Sequence, residues 1–164
     1  MTEPPELLPF DGDWQNYVER VYEAFVESFV QPDVWFQGCR VTAPYRPESQ
    51  GKHFSFWHVI SEAPHPGNRN EEDRIPDIAR CERIRWIAWA VRQADVGAEG
   101  VSWWENSRGR DTHVVIWAEA HDFAVILGNR RDYYVLKTAY CDLRSGRRRA
   151  FEKEKRRFWQ GQKG

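Results

Sequence analysis

A chain of 164 residues with 41% hydrophobic content and a net charge of −1 is long and apolar enough to form one domain with a sizeable core. The longest apolar run, Trp86–Val91, is too short for a transmembrane span, and the acidic, proline-rich N-terminus predicts no signal peptide. Three cysteines without paired spacing argue against a disulfide scaffold or a zinc knuckle, and they favour a reducing cytoplasm.

The N-terminal part combines an arm with an amphipathic helix. Residues 1–12 are predicted to form an extended arm. From Asp13 onward, large apolar residues recur at spacings of three and four, which is typical of a helix with Asp11 or Asp13 as its N-cap. These positions are Trp14, Tyr17, Val18, Val21, Tyr22, Phe25 and Phe29. A short strand is predicted at 34–36 and a loop at 43–51.

Two further segments precede the β-rich part of the chain. Residues 52–62 fit either a strand or a helical turn, and we favour the helical turn, in which Ser55, His58 and Glu62 share one face. A second helix is predicted to open at Ile75-Pro76-Asp77, because proline and aspartate suit a first helical turn. Its apolar stripe consists of Ile78, Cys81, Ile84, Ile87, Ala88 and Val91.

Three β-rich runs follow, separated by two short polar breaks. His113–Ala118, Phe123–Leu127 and Tyr133–Tyr140 have the composition of strands, and the breaks between them suit hairpin connections. A further strand is predicted at Val101–Glu105. The sequence therefore predicts an α+β fold in which N-terminal helices pack on an antiparallel β-meander sheet of three to five strands.

We expect a single domain over residues 1–164, with a mainly helical part at 13–95, the β-meander at 101–141 and a basic C-terminal segment at 144–160. Residues 128–164 carry 12 Lys and Arg against 4 Asp and Glu, a charge of +8, whereas residues 1–127 carry −9. A basic end of this kind is typical of a surface for phosphates or for an acidic protein, but a solvated helix has the same composition.

The motifs of several enzyme classes are absent from the sequence. It has no phosphate-binding glycine loop, nucleophile elbow or HExxH pattern, and no ligand spacing completes a metal site, so neither metal nor another cofactor is predicted. Metal-free RNA cleavage needs less: a general base, a general acid and a cation for the charged phosphorane. Histidine suits the first two roles because its pKa lies near neutrality, and lysine or arginine suits the third.

Residues of these types occur in two clusters. The upstream cluster is Lys52, His53, Ser55 and His58. The downstream cluster is Arg130, Arg131, Tyr134, Thr138 and Tyr140. Thr138 and Tyr140 are two residues apart, so they are predicted to project from one face of their strand, and Tyr134 and Leu136 are expected to share that face.

A structural interpretation stays open for each of these residues. His58 could be a satisfied core histidine beside Trp57, and Thr138 and Tyr140 could fill a half-buried strand, for which both residue types are suited. His113 and His121 are interpreted as solvated and receive no role.

The run Tyr133–Tyr140, with the sequence YYVLKTAY, resembles the terminal strand of the nuclease superfamily that groups barnase, EndoU, colicin tRNases and RelE-type toxins (BECR). The upstream segment Gly51–Phe54, together with His58, fits the place of that family's first catalytic group. The resemblance covers roughly residues 50–150. It implies a metal-independent endoribonuclease, often a toxin used in bacterial or phage conflict, that cleaves by 2′-hydroxyl attack and leaves a 2′,3′-cyclic phosphate.

Mapped onto this chain, the resemblance implies that the catalytic residues are Lys52, His53, His58, Arg130, Thr138 and Tyr140. The residues expected to bind nucleic acid are Arg131, Tyr134, Arg144, Arg147 and Arg148. The Glu–Arg–His order of the barnase kind is not present, so the base and the acid stay unassigned. The implied partners are RNA, tRNA included, and a neutralising antitoxin or immunity protein, with no membrane. The competing interpretation is a non-catalytic nucleic-acid-binding or protein-interaction module that uses the basic C-terminal segment.

Overall fold

The structure is a computed structural model that describes residues 2–162. Within this range the α-helices are α1 (Trp14–Phe25), α2 (Phe54–Ile60), α3 (Ile78–Glu82), α4 (Trp86–Asp95) and α5 (Ser145–Gln162), and a π-helical segment at Val26–Val30 continues α1. The strands are β1 (Trp35–Phe36), β2 (Cys39–Thr42), β3 (Ser61–Glu62), β4 (Ile75–Pro76), β5 (Val101–Arg108), β6 (Asp111–Ala118), β7 (Phe123–Asn129) and β8 (Tyr133–Cys141). The predicted α+β class is confirmed. No helix in the described part of the chain has the length and apolarity needed to cross a membrane.

Six strands form one mixed sheet in the order β1-β2-β8-β7-β6-β5, and β3 pairs with β4 separately. Strands β5 to β8 form the predicted antiparallel meander. Strand β2 adds to it in parallel, with Arg40 opposite Tyr133 and Thr42 opposite Val135. The prediction of a purely antiparallel sheet of three to five strands is therefore wrong. Strand β2 has four residues, of which only Val41 is buried, so it is too short to show a periodic pattern.

Helix α1 follows from its sequence as predicted. Asp13 is its N-cap, and the carboxylate accepts a hydrogen bond from the backbone N–H of Asn16 at 3.4 Å. Tyr17, Val21 and Phe25 are completely buried, so the predicted apolar stripe faces the core.

The second predicted helix is in fact two helices, because the chain turns at residues 83–85 between α3 and α4. Pro76 lies in β4, where it pairs with Ser61, and so it is not part of a helical turn. Asp77 becomes the N-cap of α3 and accepts a hydrogen bond from the backbone N–H of Arg80 at 3.2 Å. The short α3 packs on β8, and its Arg80 reaches Ser61 and Glu62 of β3, so that this side chain is only 4% exposed.

The two faces of the sheet are covered differently. One face packs against α1 to α4, with Val125 and Leu127 of β7 in that core. On the opposite face, Phe151 of α5 packs on Trp104 and Trp117, with ring centroids 5.4 and 5.6 Å apart. Helix α5 therefore completes a second, smaller core. The rest of this face, towards β8, carries the candidate site.

A candidate active site beside the last strand

A β-bulge in β8 determines which of its side chains reach the partly covered face. Ile126 of β7 pairs with Thr138, but the next residue, Leu127, pairs with Leu136. Lys137 is thus an extra residue without a partner of its own in the register. A bulge of this kind bends the strand and redirects its side chains, and it is common next to functional sites.

The bulge reverses the alternation of side chains along β8. Tyr134 and Leu136 face the core under the helices, and beyond the bulge Ala139 faces the same core. Thr138 and Tyr140 therefore share the opposite face, as predicted. The prediction that Tyr134 and Leu136 join them is wrong, because the extra residue changes the parity. The half-buried ring of Tyr134 packs edge-on against Phe36 of the core, with centroids 5.4 Å apart, and burial raises the pKa of its phenol.

A cleft of about 650 Å³ opens where this face of β8 meets residues 61–66 and the start of α5. Its polar lining is dominated by imidazole, cationic and hydroxyl side chains. These are His58, Ser61, His65, Arg74, Arg80, His113, Lys137, Thr138, Tyr140 and Arg147. Among the described residues that line the cleft, Glu62 is the one carboxylate, and it forms an ion pair with Arg80. A site with this composition favours an anionic ligand.

His58 joins the two predicted clusters. Its backbone carbonyl accepts a hydrogen bond at 3.0 Å from the hydroxyl of Thr138, a residue 80 positions further along the chain. Its Nε2 lies 2.9 and 3.0 Å from the two carboxylate oxygens of Glu71, and its ring packs on Phe54 with centroids 4.1 Å apart. The side chain is 23% exposed, so a ligand in the cleft can reach it.

The surroundings of His58 favour the neutral imidazole. Burial, and then the positive charge of Arg74, lower the pKa of His58 below its ordinary value, although Glu71 acts in the opposite direction. A neutral imidazole that donates Nε2–H to Glu71 keeps its lone pair on Nδ1. His58 is therefore suited to accept a proton near neutral pH.

Two guanidinium groups lie over the ring of Tyr140. The Cζ atom of Arg147 is 4.3 Å from the ring centroid, and that of Arg80 is 5.2 Å away. Arg80 is buried and held by Glu62, by Asp77 at 3.6 Å and by the carbonyl oxygen of Ser61 at 3.2 Å. Tyr140 thus positions the more exposed Arg147 at the edge of the cleft, whereas Arg80 is a fixed charge in its wall.

Lys52 and His53 are not among the described residues that line the cleft. The ammonium group of Lys52 is 2.5 Å from Glu19 of α1. The Nδ1 atom of His53 is 2.8 Å from the hydroxyl of Tyr22, also in α1, and burial lowers the pKa of this histidine. Both side chains therefore connect the start of α2 to α1, whereas the side chain of His58 lies in the cleft beside β8.

The predicted arginines are divided among several environments. Arg130 lines a smaller adjoining pocket of about 240 Å³, which shares His58 and Lys137 with the cleft. Arg148 forms an ion pair with Asp122 at 2.5 Å. Arg131 and Arg144 are exposed and do not belong to the described lining of the cleft. Of the three arginines predicted to bind nucleic acid in residues 144–148, Arg147 alone lines it.

Six residues of the polar lining named above were not predicted: Ser61, His65, Arg74, Arg80, His113 and Lys137. The position of His113 follows from the two predicted hairpins. In the first, Val115 of β6 pairs with Ile126 of β7, and in the second, Ile126 pairs with Thr138 of β8. Strand alternation then places His113 on the same face as Thr138. Lys137 depends on the bulge, and Arg74 and Arg80 depend on the packing of β4 and α3, for which no local pattern was visible.

No group of three or more His, Cys, Asp or Glu side chains in residues 2–162 is arranged to hold a metal ion. The absence of a metal or cofactor stays a prediction. Comparisons with protein families, with curated proteins and with solved structures found no match for this chain. The superfamily resemblance also stays a prediction.

Proposed function

We propose that the chain is a metal-independent endoribonuclease of the toxin type, with its active site in the cleft beside β8. The observation that carries the proposal is the convergence of His58, Lys137 and Arg147 with the Thr138–Tyr140 face of β8. Cleavage by 2′-hydroxyl attack requires a group that titrates near neutrality and cations beside the phosphate, and this cleft supplies both. The proposed partners are RNA, tRNA included, and an acidic antitoxin or immunity protein in the cytoplasm.

His58 is assigned as the general base. Its Nδ1 accepts the proton of the ribose 2′-hydroxyl while Glu71 fixes the ring through Nε2, an arrangement of base and orienting carboxylate that recurs in nucleophilic catalysis. The 2′-oxygen forms a bond to phosphorus and the bond from phosphorus to the 5′-oxygen breaks. His113 is assigned as the acid that protonates this leaving oxygen, since it lines the same cleft. The products are a 2′,3′-cyclic phosphate and a 5′-hydroxyl end.

Lys137 and Arg147 are assigned to the phosphate. Both line the cleft, and neither takes part in an ion pair with a carboxylate in the described residues. Arg80, in contrast, is already neutralised by Glu62 and Asp77. The Thr138 hydroxyl donates to the His58 carbonyl, so Thr138 is a positioning residue that holds α2 against β8.

The purified protein is expected to cleave total RNA equally well with and without EDTA, because the proposed groups need no metal. Gel analysis of the RNA, with mapping of the product ends as 2′,3′-cyclic phosphates, measures this. A His58→Ala preparation controls for contaminating ribonuclease. Loss of cleavage on chelation, with recovery on adding a divalent ion, would reject the mechanism.

The acidic limb of the kcat/KM profile is expected to have its midpoint below about 6.5, the ordinary histidine value, because the pKa of His58 is lowered. A base is active when deprotonated, so the rate rises as the pH passes upward through this pKa. Glu71→Gln removes a charge that favours the protonated ring, and the limb should move further towards low pH. Glu23→Gln, at an exposed position of α1 outside the described lining of the cleft, is the matched control. An unmoved limb in Glu71→Gln would contradict the assignment of His58.

The exposed cations of α5 favour a second candidate function, a nucleic-acid-binding module without catalysis. Four basic residues of this helix, Arg149, Lys153, Arg156 and Arg157, are exposed, while Phe151 is buried against the sheet. Such a row of charges binds a phosphate backbone without sequence preference. The two functions are compatible if α5 holds RNA that enters the cleft.

The triple variant Arg149→Gln, Arg156→Gln, Arg157→Gln is expected to bind long RNA more weakly. The slope of log K against log salt should flatten by about 0.7 for each phosphate that the variant no longer neutralises. Truncation of α5 is a poorer test, since it also removes the burial of Phe151, worth roughly 1.5–3 kcal/mol. Fluorescence anisotropy at several salt concentrations measures the slope. An unchanged slope in the folded variant would mean that this row of charges does not bind RNA.

A further inference from the structure

A second pocket, of about 450 Å³, lies beside the cleft and is bounded by α1, residues 47–50, α2 and residues 71–76. Three aromatic side chains contribute to its lining: Trp14 of α1, and Phe54 and Trp57 of α2. Three carboxylates, Glu48, Glu71 and Glu72, line it as well. The pocket therefore differs in character from the basic cleft, although the two are adjacent.

The two sites share a wall. Ser61 and Arg74 line both of them. The guanidinium of Arg74 is fixed there, since its Nη2 donates to the carbonyl oxygen of Ser61 at 2.6 Å and its Nε donates to the hydroxyl at 2.9 Å. Glu71 lines the pocket and hydrogen-bonds His58, which lines the cleft. One ligand can thus contact both sites across Arg74.

The lining of the pocket selects a class of ligand. Its volume lies within the range of small-molecule sites, about 300–1,000 Å³. Aromatic rings stack on the flat faces of nucleobases. Carboxylates repel a phosphate but accept hydrogen bonds from exocyclic amino groups. The pocket therefore fits a base that carries an amino group.

We infer that this pocket binds the amino-bearing nucleobase of the nucleotide whose phosphate is held in the cleft. The inference rests on the proposed function for the identity of the cleft ligand. The base stacks against Trp14 and Trp57, and its amino group donates to the carboxylate rim. Arg74 lies between this base and its phosphate. Guanine, adenine and cytosine are accepted, whereas hypoxanthine and uracil have no exocyclic amino group to donate to the carboxylates and are disfavoured.

Fluorescence titration with a 2′-deoxy trinucleotide that has 2-aminopurine at its centre tests the inference directly. This probe carries an amino group, is quenched on stacking and cannot be cleaved by 2′-hydroxyl attack. We expect saturable quenching by the full chain. Trp14→Leu should weaken binding by about tenfold or more, the scale of removing one stacked ring, and Trp14→Phe should recover most of it. Trp159→Leu, an exposed tryptophan of α5, is the matched control and should bind like the parent.

Competition with trinucleotides that carry guanine or hypoxanthine tests the amino-group requirement, and the guanine competitor should displace the probe at lower concentration. Equal competition by the two, or equal weakening in Trp14→Leu and Trp159→Leu with unchanged melting temperatures, would overturn the inference. The result for the cleft is separable. Binding of the probe without cleavage of the matching ribonucleotide would reject the ribonuclease but keep the base pocket. Cleavage at the parent rate by Trp14→Leu would keep the ribonuclease but reject the base pocket.

Discussion

His58→Ala is expected to lower the single-turnover rate of RNA cleavage by about 100-fold or more, the usual cost of losing a general base. The substitution removes the imidazole that reaches the cleft but keeps the backbone carbonyl that accepts from Thr138. The link between α2 and β8 should therefore survive. Rates measured together with thermal melting separate lost chemistry from lost structure.

His53→Ala is the matched control for this variant. His53 is also a half-buried histidine with a lowered pKa, but it bonds Tyr22 and does not belong to the described lining of the cleft. Its loss should lower the melting temperature and leave the rate nearly unchanged. Should His58→Ala melt and cleave like the parent, the base is another residue. Should it only lose stability, His58 is the core histidine of the structural interpretation.

A second variant tests whether His58 and Tyr140 act in one site. Tyr140→Phe keeps the ring under Arg147 and removes one hydroxyl, so its effect on the rate should be smaller than that of His58→Ala. The double variant should lose less than the product of the two single losses, because residues that act as a unit are non-additive. Strict multiplication of the two effects would place the residues in independent sites.

The elements that the sequence predicts well are those with long or repeated local signals. Helix α1 holds six of the seven predicted apolar positions and has a capping aspartate, and Phe29 follows in the π-helical segment Val26–Val30. The runs of β6, β7 and β8 were predicted within a few residues. Strand β2 was missed because it is stabilised by its parallel pairing with β8, which four residues of sequence cannot show. The break between α3 and α4 was missed because the apolar stripe runs through both helices without interruption.

The candidate site was predictable in outline but not in its membership. His58 and Thr138 occur in the two predicted clusters, and the structure brings them together. Lys52 and His53 are close to His58 in sequence, yet they precede the first turn of α2 and contact α1 instead. Arg80 was unpredictable, since the burial of an arginine beside an apolar stripe depends on the partners that β3 and the N-cap of α3 supply.

The bulge in β8 explains why strand alternation alone does not predict which side chains of this strand line the cleft. Strict alternation puts Lys137 and Ala139 on one face and Leu136 and Thr138 on the other. The extra residue moves Lys137 to the cleft that Thr138 also lines, while Leu136 stays in the core. One irregular pair in the register thus adds a cation to the site, and no residue in the run YYVLKTAY marks where the irregularity falls.

Lys137→Ala is expected to lower the cleavage rate by about 100-fold, on the scale of removing one group that stabilises the charge of the transition state. Alanine tolerates the bulge as well as lysine does, and the lysine side chain is only half-buried, so the melting temperature should change little. Arg92→Ala, at an exposed position of α4 outside the described lining of the cleft, also removes one positive charge and serves as the control. If the two substitutions lowered the cleavage rate equally, the rate would depend on the net charge of the protein and not on the position of Lys137 in the cleft.

Lys137→Ala should also change the pH dependence of kcat/KM, which the loss of a purely structural lysine would leave unchanged. Burial first, then Arg74, and to a smaller degree Lys137 lower the pKa of His58. Removing the Lys137 charge should therefore raise that pKa, and the acidic limb of kcat/KM should move towards higher pH, opposite to the shift expected for Glu71→Gln. Shifts of opposite sign in these two variants would place both charges around the one base whose titration sets the rate. A limb that moves in the same direction in both would mean that a different group is titrating.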